Sequence, residues 1–444
     1  MGTLLGAEIL VTYAFFEMQN YLTNVWHLSF THAAGILNLW NGISMVLPLL
    51  LLFVVDTITG NFAMLVLSST AYTLGTVMVA ISTPPLLANA TGTCKQYEPH
   101  CVGRVQKTLF YTGMAFVAVG IAGHLVSLHP FLEEQQDRPN DAGHIQVGGY
   151  TLLVLLSLTG AIALPFIKPW SIRFGIPAIC TALATLLYLT GWCKYDRGPR
   201  GRVPLSSVCR VFATKVPVCT AVVVCGMVSA IRNTYFVAQA NHLNRRIGGR
   251  EVPIQVLLLI LSGAKQVFAP LADKFLNARA PSTGMGVTMV LSVLCCVTAA
   301  ETERRRLDVV RSHGLVDKPD EDIPMTVYWL VFQFVLLAGV DSFFEKSIAK
   351  FCDGYDQSNE ESLKKYLGYL NKGVCGVGFM CSALSVYAVG KISERVGGRN
   401  WFEHTLNESR LDNYFLVLAC LSGASLIVLV FVGLCIKLIR RVCI

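Results

Sequence analysis

The stretch THAAGILNLWNGISMVLPLLLLFVV, Thr31–Val55, is followed by the polar turn Asp56–Gly60 and then by FAMLVLSSTAYTLGTVMVAIS, Phe62–Ser82. Neither apolar stretch contains Asp, Glu, Lys or Arg. Each has close to the ~20 residues that a helix needs to cross a ~30 Å hydrocarbon core. Because the bilayer offers no hydrogen-bond partner to backbone groups, spanning segments of this kind must be helical. The sequence therefore predicts two transmembrane helices joined by a short turn.

The same pattern recurs along the whole chain. Of 444 residues, 53% are hydrophobic and 14% are charged, and the mean hydropathy is +0.54, whereas an average soluble domain has about 25% charged residues. We predict an all-α membrane protein with about twelve transmembrane helices. The predicted spans are Gly2–Leu22, Thr31–Val55, Phe62–Ser82, Leu109–Leu128, Gly149–Ile167, Phe174–Trp192, Val216–Gln239, Pro253–Phe275, Gly284–Ala300, Met325–Ala349, Lys372–Val389 and Asn413–Ile439.

Charge and cysteine content exclude other classes of protein. The net charge of +8 does not indicate nucleic-acid binding, because the basic residues lie in short loops, where they set topology and meet lipid headgroups. Most of the fifteen cysteines lie in apolar segments, where cysteine behaves as a small hydrophobic residue. Cys94 and Cys101 share a polar loop and either pair as a disulfide or remain free thiols. No zinc-ligand spacing accompanies them, so neither a metal nor another cofactor is predicted.

Nothing in the sequence indicates an enzyme. There is no glycine-rich P-loop, so ATP-driven transport is not expected, and isolated Ser, His and Asp residues have no nucleophile elbow around them. The N-terminal segment has no basic n-region or cleavage-site pattern. We therefore interpret it as the first span rather than a signal peptide.

A basic, turn-rich stretch, Cys193–Lys215, divides the spans into six and six. We predict an N-terminal six-helix bundle over 1–192, a linker over 193–215 and a C-terminal bundle over 216–444. An acidic residue follows the second span of each half, Asp56 and Asp273. This repetition is typical of a parallel two-repeat transporter.

The two N-x-S/T sequons begin at Asn89 and Asn407, and both are glycosylation candidates. Counting Lys and Arg in the loops gives no orientation, since the two sides carry nearly equal numbers. Both sequons fall in odd-numbered loops, which lie outside the cytosol if the N-terminus lies inside. With an even number of spans, this favours both termini on the cytosolic side.

Short motifs in order around the predicted spans resemble those of one family. They are Asp56–Gly60 (DTITG), Gly120–His124 (GIAGH) with Glu134–Asp137 (EQQD), Trp170–Ala178 (WSIRFGIPA), Pro204-Leu205, Ile323–Phe334 (IPMTVYWLVFQF) and Trp401–Phe415 (WFEHTLNESRLDNYF). Each motif alone is weak, but their common order over nearly the whole chain is specific. The chain resembles the plant nitrate transporter/peptide transporter family, the plant branch of the proton-coupled oligopeptide transporters in the major facilitator superfamily.

The resemblance implies a rocker-switch transporter, in which two six-helix bundles enclose a central cavity and expose it alternately to each side. It implies a small-molecule or anion substrate (nitrate, a di- or tripeptide, or a plant metabolite), with protons as co-substrate in members that carry the full coupling motif. We expect a monomer in the plasma membrane or the vacuolar membrane, because the cavity lies within one chain.

The first span departs from the family pattern. Where the family carries E-x-x-E-R/K, the chain reads Glu8-Ile9-Leu10-Val11-Thr12, so one carboxylate and the base are absent. The lysine of the fourth span that pairs with this element aligns with Leu125. An unpaired charge in the membrane costs several kcal/mol, so loss of one partner favours loss of the other. The central linker is also shortened. We expect weakened or absent proton coupling through the first span.

Ionisable residues within spans are functional candidates, because each costs about 2.5–3.5 kcal/mol at the bilayer centre on insertion scales. Glu8 matches the first glutamate of the family motif and is a candidate proton-linked carboxylate, unless it simply reaches water near the helix end. Tyr13 is a further cavity-lining candidate on this span. Glu17 is interpreted as interfacial.

In the C-terminal half, Arg232 is predicted to pair with a carboxylate of the tenth span, Asp341 or Glu345, which share a helix face. Such a pair is either a cavity-lining gate or anion contact, or a purely structural ion pair. Lys265 either lines the cavity or extends to the cytosolic interface. Ser229 is a further candidate for lining the cavity. It lies at a position where family members often have Tyr or His.

Other polar residues receive structural interpretations. His124 is expected to be a satisfied interfacial histidine rather than a proton relay. Lys346 is expected to pair with Asp353 or with lipid phosphate. Gly60 permits the turn after the second span, and Asp56 is expected to cap the following helix.

The predicted function is secondary transport of small solutes by alternating access. The alternative is a non-transporting relative, either a regulatory membrane protein or a truncated gene product, because several coupling elements are absent together.

Overall fold

The computed structural model describes residues 2–83, 102–135, 151–152, 155–156, 159–160, 163–167, 169–192, 195, 222–247, 250–277, 280–319, 321–353 and 361–442. Four sequence-based expectations lie outside these residues. They are the Cys94–Cys101 pair, the sequon at Asn89, the linker 193–215 apart from Tyr195, and part of the span Gly149–Ile167.

Helices dominate the described chain. They are α1 (Gly2–Phe16), α2 (Met18–Asn24), α3 (Phe30–Val54), α4 (Gly60–Ser82), α5 (Arg104–Gln135), α6 (Trp170–Thr190), α7 (Val222–His242, with a 3-10 turn at Ile231–Asn233), α8 (Gln255–Asn277), α9 (Pro281–Ser312), α10 (Trp329–Asp353), α11 (Glu361–Gly397) and α12 (Leu411–Val442). The predicted all-α class is confirmed.

Eight segments of the described chain are long and apolar enough to cross a membrane. This number is lower than the predicted twelve. The longest segment, Phe30–Ser82, contains both α3 and α4. At 15 residues, α1 is shorter than a full span, and α10 carries the charged residues Asp341, Glu345 and Lys346.

The α3–α4 segment turns at a short π-helix, Val55–Thr59, followed by Gly60. As one straight helix its 53 residues would extend about 80 Å, more than twice the thickness of the hydrocarbon core. Gly60 has φ +75°, a conformation that glycine adopts without a side-chain clash, so the chain changes direction there. The position before α4 is occupied by Thr59, so Asp56 is not its N-cap, contrary to expectation.

Several helices run well past the predicted spans. α9 continues to Ser312, although the sequence stretch after Ala300 was interpreted as a loop. Glu and Arg are good helix formers, and Glu301 and Glu303 are each within ion-pair distance of an arginine three residues on. The helix therefore extends beyond the apolar segment without a break.

The chain folds as two compact units. Unit 1 comprises Met1–Leu28 and Ile43–Val203, and unit 2 comprises Ser29–Gly42 and Pro204–Ile444. The core of unit 2 includes Val222 of α7, Met289 of α9, Phe344 of α10 and Leu370 of α11.

Two pairs of short strands belong to the loops of unit 2. β1 (Leu243–Asn244) pairs in parallel with β4 (Ile323–Thr326), and β2 (Arg246–Ile247) pairs antiparallel with β3 (Arg250–Glu251). β1 and β4 join the chain after α7 to the chain before α10, the two helices that carry much of the candidate site.

In unit 1, α4 and α5 pack closely at glycines. A Cβ atom placed on Gly120 would overlap Tyr72, and one placed on Gly123 would overlap Ser68. Small residues allow helix backbones to approach in membranes, where packing rather than water exclusion drives association. The two glycines therefore fix the position of the neighbouring His124 on α5 against α4.

Gly123→Ala tests this packing against Gly175→Ala, the same change in α6 at a glycine with open space around it. Gly123→Ala is expected to destabilise the protein by about 1–3 kcal/mol through overpacking. Gly175→Ala is expected to leave stability unchanged or slightly raised, since alanine favours helix over glycine. Thermal unfolding in detergent measures both, and equal midpoints would contradict this account of the α4–α5 contact.

Candidate functional site

The main polar cluster of unit 2, the Asp341 cluster, consists of Ser229, Arg232, Lys265 and Asp341. The Ser229 hydroxyl donates to Oδ1 of Asp341 at 2.7 Å, and Nη1 of Arg232 donates to Oδ2 at 2.7 Å. Nζ of Lys265 lies 2.7 Å from the same Oδ2 atom. The contact predicted between Arg232 and a carboxylate of the tenth span is present, and Lys265 joins it.

Three helices bring the cluster together. Arg232 lies in the 3-10 turn that interrupts α7, and Ser229 lies just before that turn. Lys265 lies near the middle of α8, and Asp341 lies near the middle of α10. Residues three apart share one face of a helix, so Ser229 and Arg232 both reach one carboxylate.

The charges of the Asp341 cluster do not balance. Two cations, Arg232 and Lys265, share one carboxylate, so the cluster carries one net positive charge when all three groups are ionised. Asp341 is buried, whereas the side chain of Lys265 is 31% exposed. Of the two cations, Lys265 is the more exposed.

Glu345, one turn beyond Asp341 on α10, is exposed and is not one of the groups bonded within the cluster. Its neighbour Lys346 pairs with Asp273 of α8, Nζ to Oδ2 2.7 Å. The expected partner of Lys346 was Asp353 or lipid phosphate, so the predicted partner was wrong. Asp273 lies 73 residues away in sequence, and only helix packing brings it within reach.

In unit 1, Glu8 faces α5. Its Oε2 atom lies 3.8 Å from Nδ1 of His124, and the carboxylate side chain is 29% exposed. His124 is buried, and its Nε2 atom is 2.8 Å from the hydroxyl of Ser69 on α4. Tyr13, the other candidate on α1, is buried beside Gly160. The structure thus places His124 at a carboxylate rather than at an interface.

Glu17 lies at the break between α1 and α2 and is buried within the protein. It forms an ion pair with Arg173 near the start of α6. Arg173 also donates to the carbonyls of Pro165 and Ile167, and its guanidinium lies 4.3 Å from the ring centroid of Trp170. The two charged groups therefore pair with each other, and the remaining donors of Arg173 bind nearby carbonyls. Such a self-contained pair is typical of a structural contact.

The turn motif Asp56–Gly60 is followed by Asn61. The Asn61 amide donates to Oε1 of Glu134 at 2.6 Å. This bond links the start of α4 to the end of α5 without a second charge.

A second buried network in unit 2 was not predicted from the sequence. Arg306 of α9 donates two hydrogen bonds to Glu303, at 2.7 and 2.9 Å, and one to Oδ1 of Asn407 at 2.7 Å. Gln239 of α7 donates to Glu303 at 2.7 Å, and Gln333 of α10 donates to Gln239 at 3.0 Å. We call these five residues the Glu303 network. The sequence signal was an i, i+3 Glu–Arg pair inside a stretch interpreted as loop.

Comparison with known proteins places this architecture in a family. A model of the POT family (PTR2) matches residues 62–232. The protein NRT1/PTR family 5.5 of Arabidopsis thaliana is 31% identical over 94% of this chain and 92% of its own length. The chain belongs to the NRT1/PTR family. The predicted family and its plant branch are confirmed, and the role of this NRT1/PTR member is that of a multi-pass membrane transporter.

Solved structures agree on the fold of this NRT1/PTR chain. The POT family transporter PepTSo superposes with a TM-score of 0.68 at 14% identity, over 98% of both chains. A POT family transporter in complex with 5-aminolevulinic acid gives a TM-score of 0.63 at 11% identity, over 97% of this chain and 95% of that chain. The fold is that of the major facilitator superfamily, as predicted.

The alignment with NRT1/PTR family 5.5 also compares the lengths of the two chains. It extends over 510 positions, more than the 444 residues of this NRT1/PTR chain. The relative therefore carries segments that this chain lacks, in agreement with the expected shortening.

The position of Asn407 in the Glu303 network argues against the glycosylation that its sequon suggested. This side chain is 5% exposed, and its Nδ2 atom, the atom that would carry a glycan, donates to the carbonyl of Leu315 at 3.0 Å. A glycan on Nδ2 would need space that this buried side chain does not have, so it would prevent the loop from folding as described.

We predict that folded protein made in eukaryotic cells carries no glycan at Asn407. The shift in mobility that glycosidase treatment produces should therefore be the same for Asn407→Gln as for the wild type. Glycopeptide mass spectrometry is the direct measurement, with the Asn89 sequon as the comparison. A glycopeptide containing Asn407 from the folded fraction would contradict the buried position.

Arg306→Met tests the network itself. The change leaves the carboxylate of Glu303 buried without its cation, and such a loss costs about 3–5 kcal/mol. The matched control is Arg311→Met on the same helix, since Arg311 is exposed and lies 3.8 Å from Asp308, an arrangement worth about 0–1 kcal/mol. Thermal unfolding in detergent compares the two variants. Equal midpoints would show that Glu303 is not held by Arg306.

Proposed function

We propose that this NRT1/PTR member is a secondary transporter of small anionic solutes that works by alternating access. The observation that carries the proposal is the charge of the Asp341 cluster, in which Arg232 and Lys265 share the single carboxylate of Asp341. An anionic solute would supply the missing negative charge. The expected solutes are nitrate, or a peptide or plant metabolite that carries a carboxylate.

The physical reason is the cost of an unbalanced charge. A cation at the bilayer centre costs about 2.5–3.5 kcal/mol on insertion scales, and a bound anion recovers part of that cost. Asp341 would compete with the solute for the same two cations. In this mechanism the carboxylate holds Arg232 and Lys265 together in the empty transporter, and the solute displaces one of them from it.

Lys265 is the expected point of contact. It is the more exposed of the two cations and pairs with Asp341, whereas Arg232 also donates to Asn233. Lysine has three donors and a flexible stem. The Lys265 ammonium can therefore turn towards a solute while Arg232 keeps Asp341 in place.

We propose further that transport is not obligatorily coupled to protons through the first span. The chain has Glu8 but neither the second carboxylate nor the base of the family element. A solved protein of the same fold holds 5-aminolevulinic acid, a solute with a carboxylate, and this supports a test of carboxylates beside nitrate. Facilitated diffusion or export is favoured over concentrative uptake.

Proteoliposome flux of labelled nitrate, chloride, dipeptides and 5-aminolevulinate tests the proposal. Lys265→Gln is expected to raise the KM for the transported anion about ten-fold, because a charge-assisted hydrogen bond is worth about 1.5–3 kcal/mol. The control is Lys346→Gln, which removes a lysine that pairs with Asp273 outside the Asp341 cluster. This control is expected to keep the wild-type KM.

A KM for the anion that Lys265→Gln leaves unchanged would remove the cluster from substrate binding. Saturable flux of neutral solutes alone would contradict an anionic substrate. No flux of any of these solutes, from protein shown to be folded, would favour the non-transporting alternative.

A further inference from the structure

A cavity of about 260 Å³ lies at the surface of unit 2. Its walls come from the first turn of α3, the C-terminal half of α11 and the loop that follows α11. No described residue that lines it belongs to the Asp341 cluster or to the Glu303 network. The cavity is therefore separate from the site to which transport is assigned.

The loop after α11 folds back and forms one wall of the cavity. Gly398 has φ +68°, so the chain can reverse there without a side-chain clash. The backbone N–H of Trp401 donates to the hydroxyl of Ser393 on α11 at 3.1 Å. Phe402 packs against Tyr414 of α12, with ring centroids 5.5 Å apart. The wall is thus held by contacts with two helices.

The space behind this wall depends on a glycine of α11. A Cβ atom placed on Gly390 would lie 3.0 Å from Oδ1 of Asn400 and 3.3 Å from Cδ2 of Phe402. A larger side chain at this position would therefore occupy the space between the helix and the loop.

One end of the cavity is lined by hydrogen-bond donors. They come from Thr31 and His32 of α3, Lys391 of α11 and Asn400 of the loop. Oδ1 of Asn400 already accepts the backbone N–H of Phe402 at 3.0 Å, so the groups that Asn400 offers to the cavity are its amide N–H donors. Among the described residues that line the cavity there is no carboxylate. This end is therefore complementary to an anion with several acceptor oxygens.

The cation of this end is available for such an anion. The Lys391 side chain is 55% exposed, and its Nζ atom lies 3.8 Å from Oε2 of Glu394. An exposed ion pair at this distance holds its charges weakly, and the flexible lysine stem lets the ammonium turn. The first turn of α3 adds the positive end of a helix dipole. A phosphate group matches these charges and donors.

The other end of the cavity is apolar and lies within a predicted span. Ala383 and Val386 belong to the span Lys372–Val389, whereas Lys391 lies just past its end. From Ala383 to Lys391 the helix rises about 12 Å. Tyr387, 69% exposed, lies between the two ends, as tyrosines often do at the membrane surface. The cavity therefore extends from the level of the hydrocarbon to the level of the headgroups.

We propose that this cavity binds one phospholipid, with its phosphate against Lys391 and His32 and an acyl chain along Ala383 and Val386. A free phosphate ion would use the polar end alone, whereas a phospholipid fills both ends. The bound lipid contacts α3, α11 and the loop together, so it stabilises the folded protein by mass action. The site is independent of the transported solute, and its test needs no flux measurement.

Thermal unfolding of the full chain in an uncharged detergent measures the effect of added phosphatidylglycerol. This lipid is expected to raise the unfolding midpoint by several degrees in a saturable manner. Digalactosyl diacylglycerol, which has acyl chains but no phosphate, and inorganic phosphate, which has no acyl chain, are the two comparison ligands. Neither should reproduce the shift.

Lys391→Gln removes the cation of the site. It is expected to raise the phosphatidylglycerol concentration that gives half of the shift several-fold, because a charge-assisted contact with the phosphate is lost. The matched control is Lys318→Gln. Lys318 is 57% exposed and pairs with Glu321 three residues on, as Lys391 pairs with Glu394, but it does not line the cavity. This control should respond like the wild type.

Ala383→Phe fills the apolar end and should also weaken the response to phosphatidylglycerol. Its control is Ala388→Phe, an exposed position of the same helix that does not line the cavity. Native mass spectrometry provides a second measurement, in which Lys391→Gln and Ala383→Phe should each retain one phosphatidylglycerol molecule fewer than their controls. If Ala383→Phe does not fold, the Lys391→Gln comparison still decides.

Three results would overturn the proposal. An equal shift with digalactosyl diacylglycerol would show that phosphate is not recognised. An equal shift with inorganic phosphate that Ala383→Phe leaves unchanged would assign the cavity to a free anion. A response to phosphatidylglycerol that is the same in Lys391→Gln and Lys318→Gln would place lipid binding elsewhere on the protein. None of these results depends on whether the protein transports an anion.

Discussion

An ionised side chain inside a bilayer has to be paired or has to reach water, and this constraint decides where the polar residues of both units lie. In unit 2, Asp341 binds Arg232 and Lys265 from two other helices. In the same unit, the pair of Glu303 and Arg306 is completed by side chains of α7 and of the loop before α12. Each carboxylate thus fixes the rotation of several helices at once, because a helix turned away would leave a charge unpaired.

Charge pairing also separates structural contacts from candidate functional ones. The Glu17–Arg173 pair is balanced and buried, and the carbonyls around Arg173 complete its hydrogen bonds. The Asp341 cluster has one cation in excess. An unbalanced charge in a membrane carries an electrostatic cost that a bound counter-ion or solute would offset. Function is therefore expected where the pairing of buried charges is incomplete.

The predictions that succeeded depend on local properties. Apolar length predicted the helices, and Gly60 with its positive φ lies at the turn where the motif placed it. The predictions that failed depend on distant partners. Lys346 pairs with Asp273 across 73 residues rather than with Asp353, and α9 continues past Ala300 because its charges pair along the helix and with other segments. Hydropathy alone describes neither effect, because it does not say which charged side chains meet in the folded protein.

The sequence by itself determined the class through its apolar segments and the family through the order of its motifs. It also predicted that Arg232 pairs with a carboxylate of the tenth span, because an unpaired charge in a membrane is costly. Tertiary structure decided that Lys265 shares the same carboxylate and that His124 faces Glu8. Both facts depend on the rotation of each helix about its axis. That rotation is set by close contacts such as those at Gly120 and Gly123, which join residues far apart in sequence.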